Sequence, residues 1–255
     1  MNFLSLPERT EKPRTFGLTS VVDFGVPIGE LELLLHDHHS FIDIVKIGIG
    51  TAYVTPSLDD KLTLYKEYDI IPYFGGTLFE KSYAKGVLPE YIEYLKAHGI
   101  EWMEISNGVL DIPLEERLQL IEELKNTFHM IGEVGHKDHA KEIPIAEWIK
   151  ETQALLDAGC EYVITEGRGS GTAGIYGKDG QVKMDIVTQL TNAVEISRMI
   201  FEAPTAKQQM FFINRFGTNV NLGNVDVRSA LLLETQRRGL RSETFFLEEE
   251  SCKPS

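Results

Sequence analysis

The sequence contains little cysteine and no long apolar run. Only Cys160 and Cys252 occur among 255 residues, far apart along the chain. Two such thiols exclude a disulfide-based scaffold and supply too few ligands for a cysteine-based metal centre. No apolar run approaches the roughly 18 to 20 residues that span a bilayer. The first 14 residues are polar and include acids, unlike a secretory signal or a transit peptide. We therefore expect a cytoplasmic protein with no membrane partner.

Basic residues are also scarce. The chain has 25 Lys and Arg against 39 Asp and Glu, a formal net charge of −14 at pH 7. Such a charge argues against nucleic acid or an anionic membrane as the main partner, because both are polyanions. If the substrate is a small anion, the protein must concentrate a few cations at one place or recruit a metal ion. Lysines and arginines at strand ends are therefore more informative than those on helices.

A dinucleotide-binding loop is missing where a doubly wound α/β fold would have it. The first predicted strand, 17–22, ends at Asp23-Phe-Gly-Val-Pro27 instead of a glycine-rich phosphate loop. A GxGxxG pattern does occur at 169–174, but it follows the sixth predicted strand and runs into a further glycine-containing stretch, 176–180. Because that motif must open a helix to bind a dinucleotide, we discount it.

Short apolar runs do alternate with amphipathic segments along the whole chain. Strands are predicted at 17–22, 41–45, 70–73, 102–105, within 129–137, and at 160–165, 199–201 and 218–221. Helices are predicted to begin near Glu30, Ser57, Pro89, Pro113, Pro144, Asp185, Ala206 and Val227. Eight such units, of about 32 residues each, match the size of a (β/α)8 barrel.

No linker-like stretch divides the chain, so we predict a single α/β domain over residues 1–255, a (β/α)8 TIM barrel. Residues 1–14 are interpreted as a polar leader. Residues 248–255, which are polar and end in Lys-Pro-Ser, are interpreted as a frayed tail.

Polar residues follow most of the predicted strands, and in a parallel barrel these strand ends form one rim that carries the active site. Five acids on one rim require nearby cations or a divalent metal, and carboxylate oxygens suit Mg²⁺. The alternative is that several of these acids form structural salt bridges. The predicted rim comprises Asp23, Lys46, Gly75-Gly76-Thr77, Glu104, Ser106, Asn107, Glu133, Lys137, Glu166, Arg168, Glu202 and Asn221.

The cations of this rim are the candidate chemical groups. Lys46 and Lys137 each follow an apolar strand and could be a general acid, a Schiff-base nucleophile or an anion clamp; the alternative for each is a surface lysine. Arg168 lies in Gly167-Arg-Gly-Ser-Gly171, where backbone N–H groups and a guanidinium suit phosphate or sulfonate. The histidine groups at 36–39 and 136–139 are interpreted as a helix end and a solvated loop.

Six stretches together resemble the phosphosulfolactate synthase family, over a match from about Lys12 to Thr244. They are Lys46-Ile-Gly-Ile-Gly-Thr51, Phe74-Gly-Gly-Thr-Leu-Phe-Glu80, Glu104-Ile-Ser-Asn-Gly108, Gly132-Glu-Val-Gly-His-Lys137, Phe201-Glu-Ala-Pro204 and Asn219-Val-Asn-Leu-Gly-Asn224. The resemblance implies a (β/α)8 barrel that adds sulfite to phosphoenolpyruvate, with Mg²⁺, in coenzyme M or sulfolactate biosynthesis. It also implies a homo-oligomer, such as a trimer.

The resemblance further implies roles for individual residues. Lys137 matches the family's general acid, and Glu104 and Glu133 are placed with it as catalytic residues. Metal ligands are expected among Asp23, Glu104 and Glu133. The residues expected to bind substrate are Lys46, Ser106, Arg168, Gly169, Gly171, Asn219 and Asn221.

Two other functions remain open at the level of sequence. One is an aldolase-type lyase acting on a phosphorylated or keto-acid substrate, with Lys46 or Lys137 as its Schiff base. The other is a non-catalytic, stress-related barrel. We rank the second last because the sequence retains Lys46, Lys137 and Arg168.

Overall fold

Eight short strands close into a parallel barrel in the computed structural model of this protein, which describes residues 3–138 and 143–247. Each strand pairs with its neighbour in the chain, and β8 returns to pair with β1. The (β/α)8 fold predicted from the sequence is thereby confirmed. The strands are β1 Thr19–Asp23, β2 Ile44–Ile47, β3 Ile71–Phe74, β4 Trp102–Ile105, β5 His129–Val134, β6 Cys160–Thr165, β7 Met199–Glu202 and β8 Leu222–Asp226.

The helices that surround the barrel begin and end at residues suited to those positions. Pro144 immediately precedes α6 and Gly159, with φ of 126°, follows it; the side chains of Thr205 and Gln208 form a capping box at the start of α8. The helices are α1 Ile28–His38, α2 Leu58–Glu67, α3 Gly76–Lys85, α4 Leu88–Ala97, α5 Leu114–Leu124, α6 Ile145–Ala158, α7 Met184–Ala193, α8 Ala206–Phe216 and α9 Ala230–Arg237.

Alternation of side chains along each strand divides the apolar core into two layers. One set of side chains, including Ile44, Tyr73 and Ile131, packs together inside the barrel. The other set, including Val45 and Phe74, packs outward against the helices. Because strand residues alternate between the two faces, a polar residue in the upper part of a strand can point into the barrel while its neighbours bury apolar surface.

Most element positions agree with the sequence prediction, and two differ. Strands β4 and β6 have the predicted bounds. Helix α3 was not predicted, because Gly75-Gly76 was interpreted as part of a loop. The eighth strand was predicted at 218–221 but spans Leu222–Asp226. This shift places Asn221 before the strand instead of at its far end.

The N-terminal end of the barrel is closed by arginine side chains. Arg237 is fully buried; its Nη1 donates to the carbonyls of Thr218 (2.6 Å) and Val220 (2.7 Å), and its Nη2 donates to the carbonyl of Leu18 (3.1 Å). Arg9, from the predicted leader, donates to Asn219 Oδ1 at 2.6 Å. The segment around Arg9 is therefore packed against the barrel, whereas the predicted tail 248–255 lies outside the described residues.

Within residues 3–138 and 143–247, none of the helices is both long and apolar enough to cross a membrane.

We predict that Arg237→Met lowers the free energy of unfolding by about 3 kcal/mol, because three buried carbonyls lose charged donors. Urea denaturation at pH 7.5 measures this change. Arg238→Met is the matched control, because Arg238 is the next residue in the chain and is only partly buried. Equal stability of the two variants would contradict a closing role for Arg237.

Candidate active site

The C-terminal end of the barrel opens into a cavity of about 380 Å³. Lys46 on β2, Glu104 on β4, Glu133 on β5 and Glu202 on β7 all point into it from the upper halves of their strands. Lys137, on the loop after β5, and Glu166, directly after β6, also line it. We refer to these six residues as the acid–lysine cluster: Lys46, Glu104, Glu133, Lys137, Glu166 and Glu202.

Lys46 joins two acids across the cavity. Its Nζ lies 3.2 Å from Glu104 Oε2 and 3.1 Å from Glu202 Oε1. Burial alone would lower the pKa of Lys46, but Glu104 and the neighbouring carboxylates raise it well above its ordinary value. Lys46 is therefore a permanent cation at the base of the cavity.

Lys137 lies on the other side of the cavity, on the loop that follows β5. Its Nζ lies 3.5 Å from Glu166 Oε2. Burial opposes its charge, but Glu133 and Glu166 raise the pKa of the ammonium above its ordinary value. The side chain is 27% exposed, so the ammonium is held by acids yet accessible to a molecule in the cavity.

The carboxyl groups of Glu104, Glu133 and Glu166 differ in how readily they ionise. Burial raises the pKa of Glu104 to about 7, and burial together with repulsion from Glu133 raises the pKa of Glu166 well above its usual range. For Glu133, the two lysines and the Ser106 hydroxyl overcome the effect of burial and lower the pKa. Glu133 is therefore charged at neutral pH, whereas Glu104 and Glu166 release their protons less readily, which reduces the negative charge of the cluster.

The donor atoms of the cluster fit a divalent metal. Glu104 Oε1 and Glu166 Oε2 are buried and accept no hydrogen bond from a described residue. Carboxylate oxygens of this kind suit Mg²⁺, which is typically held by one or two carboxylates with water or substrate oxygens completing the shell. Across the described ranges, no three His, Cys, Asp or Glu residues are already arranged around a common metal position.

The entrance of the cavity presents groups suited to an anion. Arg168, with φ of 59°, and Gly169 border it after β6. Helix α3 begins beside it at Gly76, without a side-chain cap at Gly75, so the positive end of its dipole faces the cavity. A Cβ atom at Gly76 would lie 2.3 Å from Glu104 Oε1, which explains why only glycine lets the helix approach this closely.

The structure brings most of the predicted site residues together. Six of them line the cavity: Lys46, Glu104, Glu133, Lys137, Arg168 and Gly169. Ser106 lies behind this lining and donates to Glu133 Oε1 at 2.8 Å. Gly171 is farther along the same loop as Arg168, where its carbonyl accepts from Gln208 at 2.8 Å, and it does not border the cavity.

Asp23, predicted as a metal ligand, lies outside the cluster. Its Oδ2 is 2.6 Å from Lys61 Nζ and accepts from the Tyr65 hydroxyl at 2.9 Å, both on α2. Its Oδ1 accepts from two backbone N–H groups of the following turn, at Gly25 and Val26. The carboxylate is fully occupied as a link between β1 and α2, so the structure does not bring Asp23 together with Glu104 and Glu133, the other acids predicted to bind metal.

Asn219 and Asn221, predicted to bind substrate, lie at the opposite end of the barrel. Asn221 Oδ1 accepts from the backbone of Leu18, just before β1, and its Nδ2 donates to the carbonyl of Met199 at the start of β7. Asn219 accepts from Arg9. The structure does not bring these two residues to the cavity, because the eighth strand begins at Leu222, after both of them. Asn224, on β8, does border the cavity and has a φ of 56°. It was not predicted as a site residue.

Comparison with known proteins identifies this arrangement. The sequence profile of (2R)-phospho-3-sulfolactate synthase (ComA) matches residues 7–243. The chain belongs to the phosphosulfolactate synthase family. A phosphosulfolactate synthase of Bacillus subtilis is 41% identical, covering 96% of this chain and 98% of that protein. One from Methanocaldococcus jannaschii is 43% identical, covering 90% of this chain and 94% of that protein.

A likeness to a solved structure outside the family concerns the fold alone. The YdjI aldolase of Escherichia coli superposes with a TM-score of 0.55 at 12% sequence identity, covering 88% of this chain and 86% of that one. At such low identity the two share a barrel architecture, which hosts many unrelated chemistries.

We predict that Glu104 makes the protein less stable as pH rises from 5 to 7.5. Its pKa is about 7 in the folded protein, above the 4.5 of an unperturbed glutamate, so folding binds a proton in this interval and stability falls with pH. Glu104→Gln should therefore be more stable relative to wild type at pH 7.5 than at pH 5, by about 3 kcal/mol at most.

Urea unfolding at the two pH values measures this difference. Glu101→Gln is the matched control, because Glu101 is exposed just before the same strand. Parallel stability curves for wild type and Glu104→Gln would show that Glu104 ionises normally.

Proposed function

We propose that this protein adds sulfite to phosphoenolpyruvate to form phosphosulfolactate, as the names of its relatives indicate. The observation that carries the proposal is the presence of two ammonium groups, the buried Lys46 and the partly exposed Lys137, in one cavity of a chain that belongs to this family. Both substrates are small anions, and the cavity brings three cations, Lys46, Lys137 and Arg168, together in a protein with a net charge of −14.

The reaction requires sulfite to reach the methylene carbon of the substrate and a proton donor to reach the adjacent carbon. The sulfur lone pair attacks the methylene carbon, a carbon–sulfur bond forms, and the π electrons move to the adjacent carbon and its carboxylate. Lys137 then donates a proton to that adjacent carbon. No bond to phosphate breaks, so no group leaves and no redox cofactor is required.

Lys137 is suited to the acid role by its surroundings. Glu133 and Glu166 keep it protonated at neutral pH, so it is charged when a substrate arrives. Proton transfer by a positioned group of this kind contributes typically 10²–10⁴-fold to a rate. The same surroundings disfavour a Schiff-base mechanism, because a nucleophilic lysine must be neutral.

The other cations and the loops are assigned to holding the two anions. Lys46, at the base of the cavity, attracts the carboxylate, and Arg168 with the N–H groups beside Gly169 attracts phosphate or sulfite at the entrance. Ser106 acts indirectly, by fixing Glu133. Gly171 belongs to this proposal only as part of the loop that carries Arg168.

Mg²⁺ is the cofactor that the donor set favours, with Glu104 and Glu133, which both interact electrostatically with Lys46 and Lys137, as the first candidate ligands. When bound, it would supply positive charge against the electron density that collects on the substrate carboxylate. Glu166 is a further candidate ligand because its Oε2 accepts no hydrogen bond from a described residue.

Localisation and assembly remain part of the proposal. A cytoplasmic location is supported by a composition with only two cysteines. A homo-oligomer, with a trimer as the first arrangement to test, is supported by exposed aromatic residues after α9, where Phe245 and Phe246 are 67% and 88% accessible.

We predict that Lys137→Ala reduces sulfite-dependent consumption of phosphoenolpyruvate by at least about a hundredfold. The reaction is followed by loss of phosphoenolpyruvate and by mass spectrometry of the product, and circular dichroism confirms the fold. Lys150→Ala, an exposed lysine on α6, is the control and should retain full activity. Undiminished turnover by Lys137→Ala would refute the acid role, and a borohydride-stable adduct with a keto acid would favour the aldolase alternative.

We predict that removal of divalent cations with EDTA abolishes most of the activity and that added Mg²⁺ restores it. A second measurement does not depend on activity. Because a ligand that binds only the folded state stabilises it, 10-fold excess Mg²⁺ over its dissociation constant should raise stability by about 1.4 kcal/mol. The same addition to Glu104→Gln should give a smaller effect. Full activity in excess EDTA would remove the metal from the proposal.

A further inference from the structure

The loop after β4 makes close contact with Lys137. The backbone N–H of Lys137 donates to the carbonyl of Gly108 at 2.9 Å. A Cβ atom at Gly108 would lie 2.9 Å from Lys137 Cε, from Glu133 Oε1 and from Glu166 Oε2. Real Cβ atoms do not approach other atoms so closely. The backbone of Gly108, which has no Cβ atom, therefore packs directly on the side chains of Lys137, Glu133 and Glu166.

This loop is in turn held by a buried acid on α3. Glu80 is 3% exposed, and its Oε1 accepts from the backbone N–H groups of Val109 (2.7 Å) and Leu110 (2.8 Å). Its Oε2 is buried and accepts no hydrogen bond from a described residue. A buried carboxylate has a high desolvation cost, and two charge-assisted hydrogen bonds to one loop offset it only while that loop stays in place.

Two further bonds fix the loop on either side of Gly108. Ser106 donates to Glu133 Oε1 at 2.8 Å, and Asn107 Oδ1 accepts from the backbone of Ile112 at 2.7 Å. The loop is therefore tied to β5, to itself and to α3. Among these ties, the one made by Glu80 comes from a separate helix, and Glu80 itself neither borders the cavity nor belongs to the acid–lysine cluster.

We propose that the segment 106–110 is a clamp that fixes the position of Lys137 and that Glu80 is the positioning residue that holds this clamp in place. A lysine side chain has four rotatable bonds, so delivery of a proton to one face of a carbon requires an external restraint. Glu80 provides that restraint without contacting the substrate. The catalytic meaning of this inference rests on the proposed function, whereas the restraint on Lys137 does not.

Three substitutions test the clamp. Glu80→Ala removes both hydrogen bonds to the loop, whereas Glu80→Gln keeps an oxygen that can accept them. Gly108→Ala pushes the clamp away from Lys137 without altering Glu80. Tyr83→Phe is the control on the same helix, since it removes a hydrogen bond between α3 and Glu116 of α5 but leaves the clamp intact.

Steady-state kinetics give the first measurement. Glu80→Ala and Gly108→Ala should lower kcat about tenfold to a hundredfold, the size expected for a small misplacement of a reacting group, with little change in KM. Glu80→Gln and Tyr83→Phe should stay within about threefold of wild type. Equal losses in Glu80→Ala and Tyr83→Phe, with equal losses of thermal stability, would reduce Glu80 to an ordinary structural residue and overturn the proposal.

A second measurement follows Lys137 itself. Acetylation of Lys137 by acetic anhydride at one fixed pH, quantified by peptide mass spectrometry, reports how accessible this side chain is. In the clamped arrangement the side chain is 27% exposed. Release from the contact with Gly108 should make Lys137 react faster in Glu80→Ala and Gly108→Ala, but not in Glu80→Gln or Tyr83→Phe.

The two measurements separate failure of the clamp from failure of the function. Altered acetylation without any sulfite-dependent reaction in wild type would reject the proposed function and retain the clamp. Unaltered kcat and unaltered acetylation in folded Glu80→Ala would overturn the clamp. If Glu80→Ala does not fold, Gly108→Ala provides the same test, because unchanged acetylation of Lys137 in that variant would also overturn the clamp.

Discussion

The balance of buried charge at the C-terminal end of the barrel is the constraint on which the rest of the site depends. Closing eight parallel strands forces acids from β4, β5 and β7, and one after β6, toward one axis. Lys46 and Lys137 offset part of their repulsion, and protons held by Glu104 and Glu166 offset more. An isolated carboxylate could not persist there, since burial without a partner costs several kcal/mol.

The same charge logic explains why the two ends of the barrel differ. At the N-terminal end, Arg237 donates to three backbone carbonyls, and these hydrogen bonds close the barrel. At the C-terminal end, Lys46 faces carboxylates that a cation or a substrate can rearrange. Stability and chemistry are thereby separated along the axis of the barrel, as is usual for this fold.

Sequence patterns predicted the fold well and the site in part. Strands β4 and β6 are apolar runs with clear ends, so their bounds were predictable. Acids and lysines at strand ends located most of the cluster for the same reason. Asp23 lies apart from the other predicted metal ligands because it pairs with Lys61 on α2, a residue distant in sequence, and no local pattern reveals this contact. Asn221 lies apart from the cavity because a shift of the strand by four residues moves a side chain to the other end of the barrel.

Glu80 shows why residues that support a site without lining it are not identified by such sequence patterns. As a single acid near the start of an unpredicted helix, it resembles any surface glutamate in sequence, and only the fold shows that it is buried and bound to the β4 loop. A protein with a net charge of −14 can bind anions only where its cations are held in place. In the proposed clamp, Glu80 meets this requirement from outside the cavity lining, because it holds the loop that packs on Lys137.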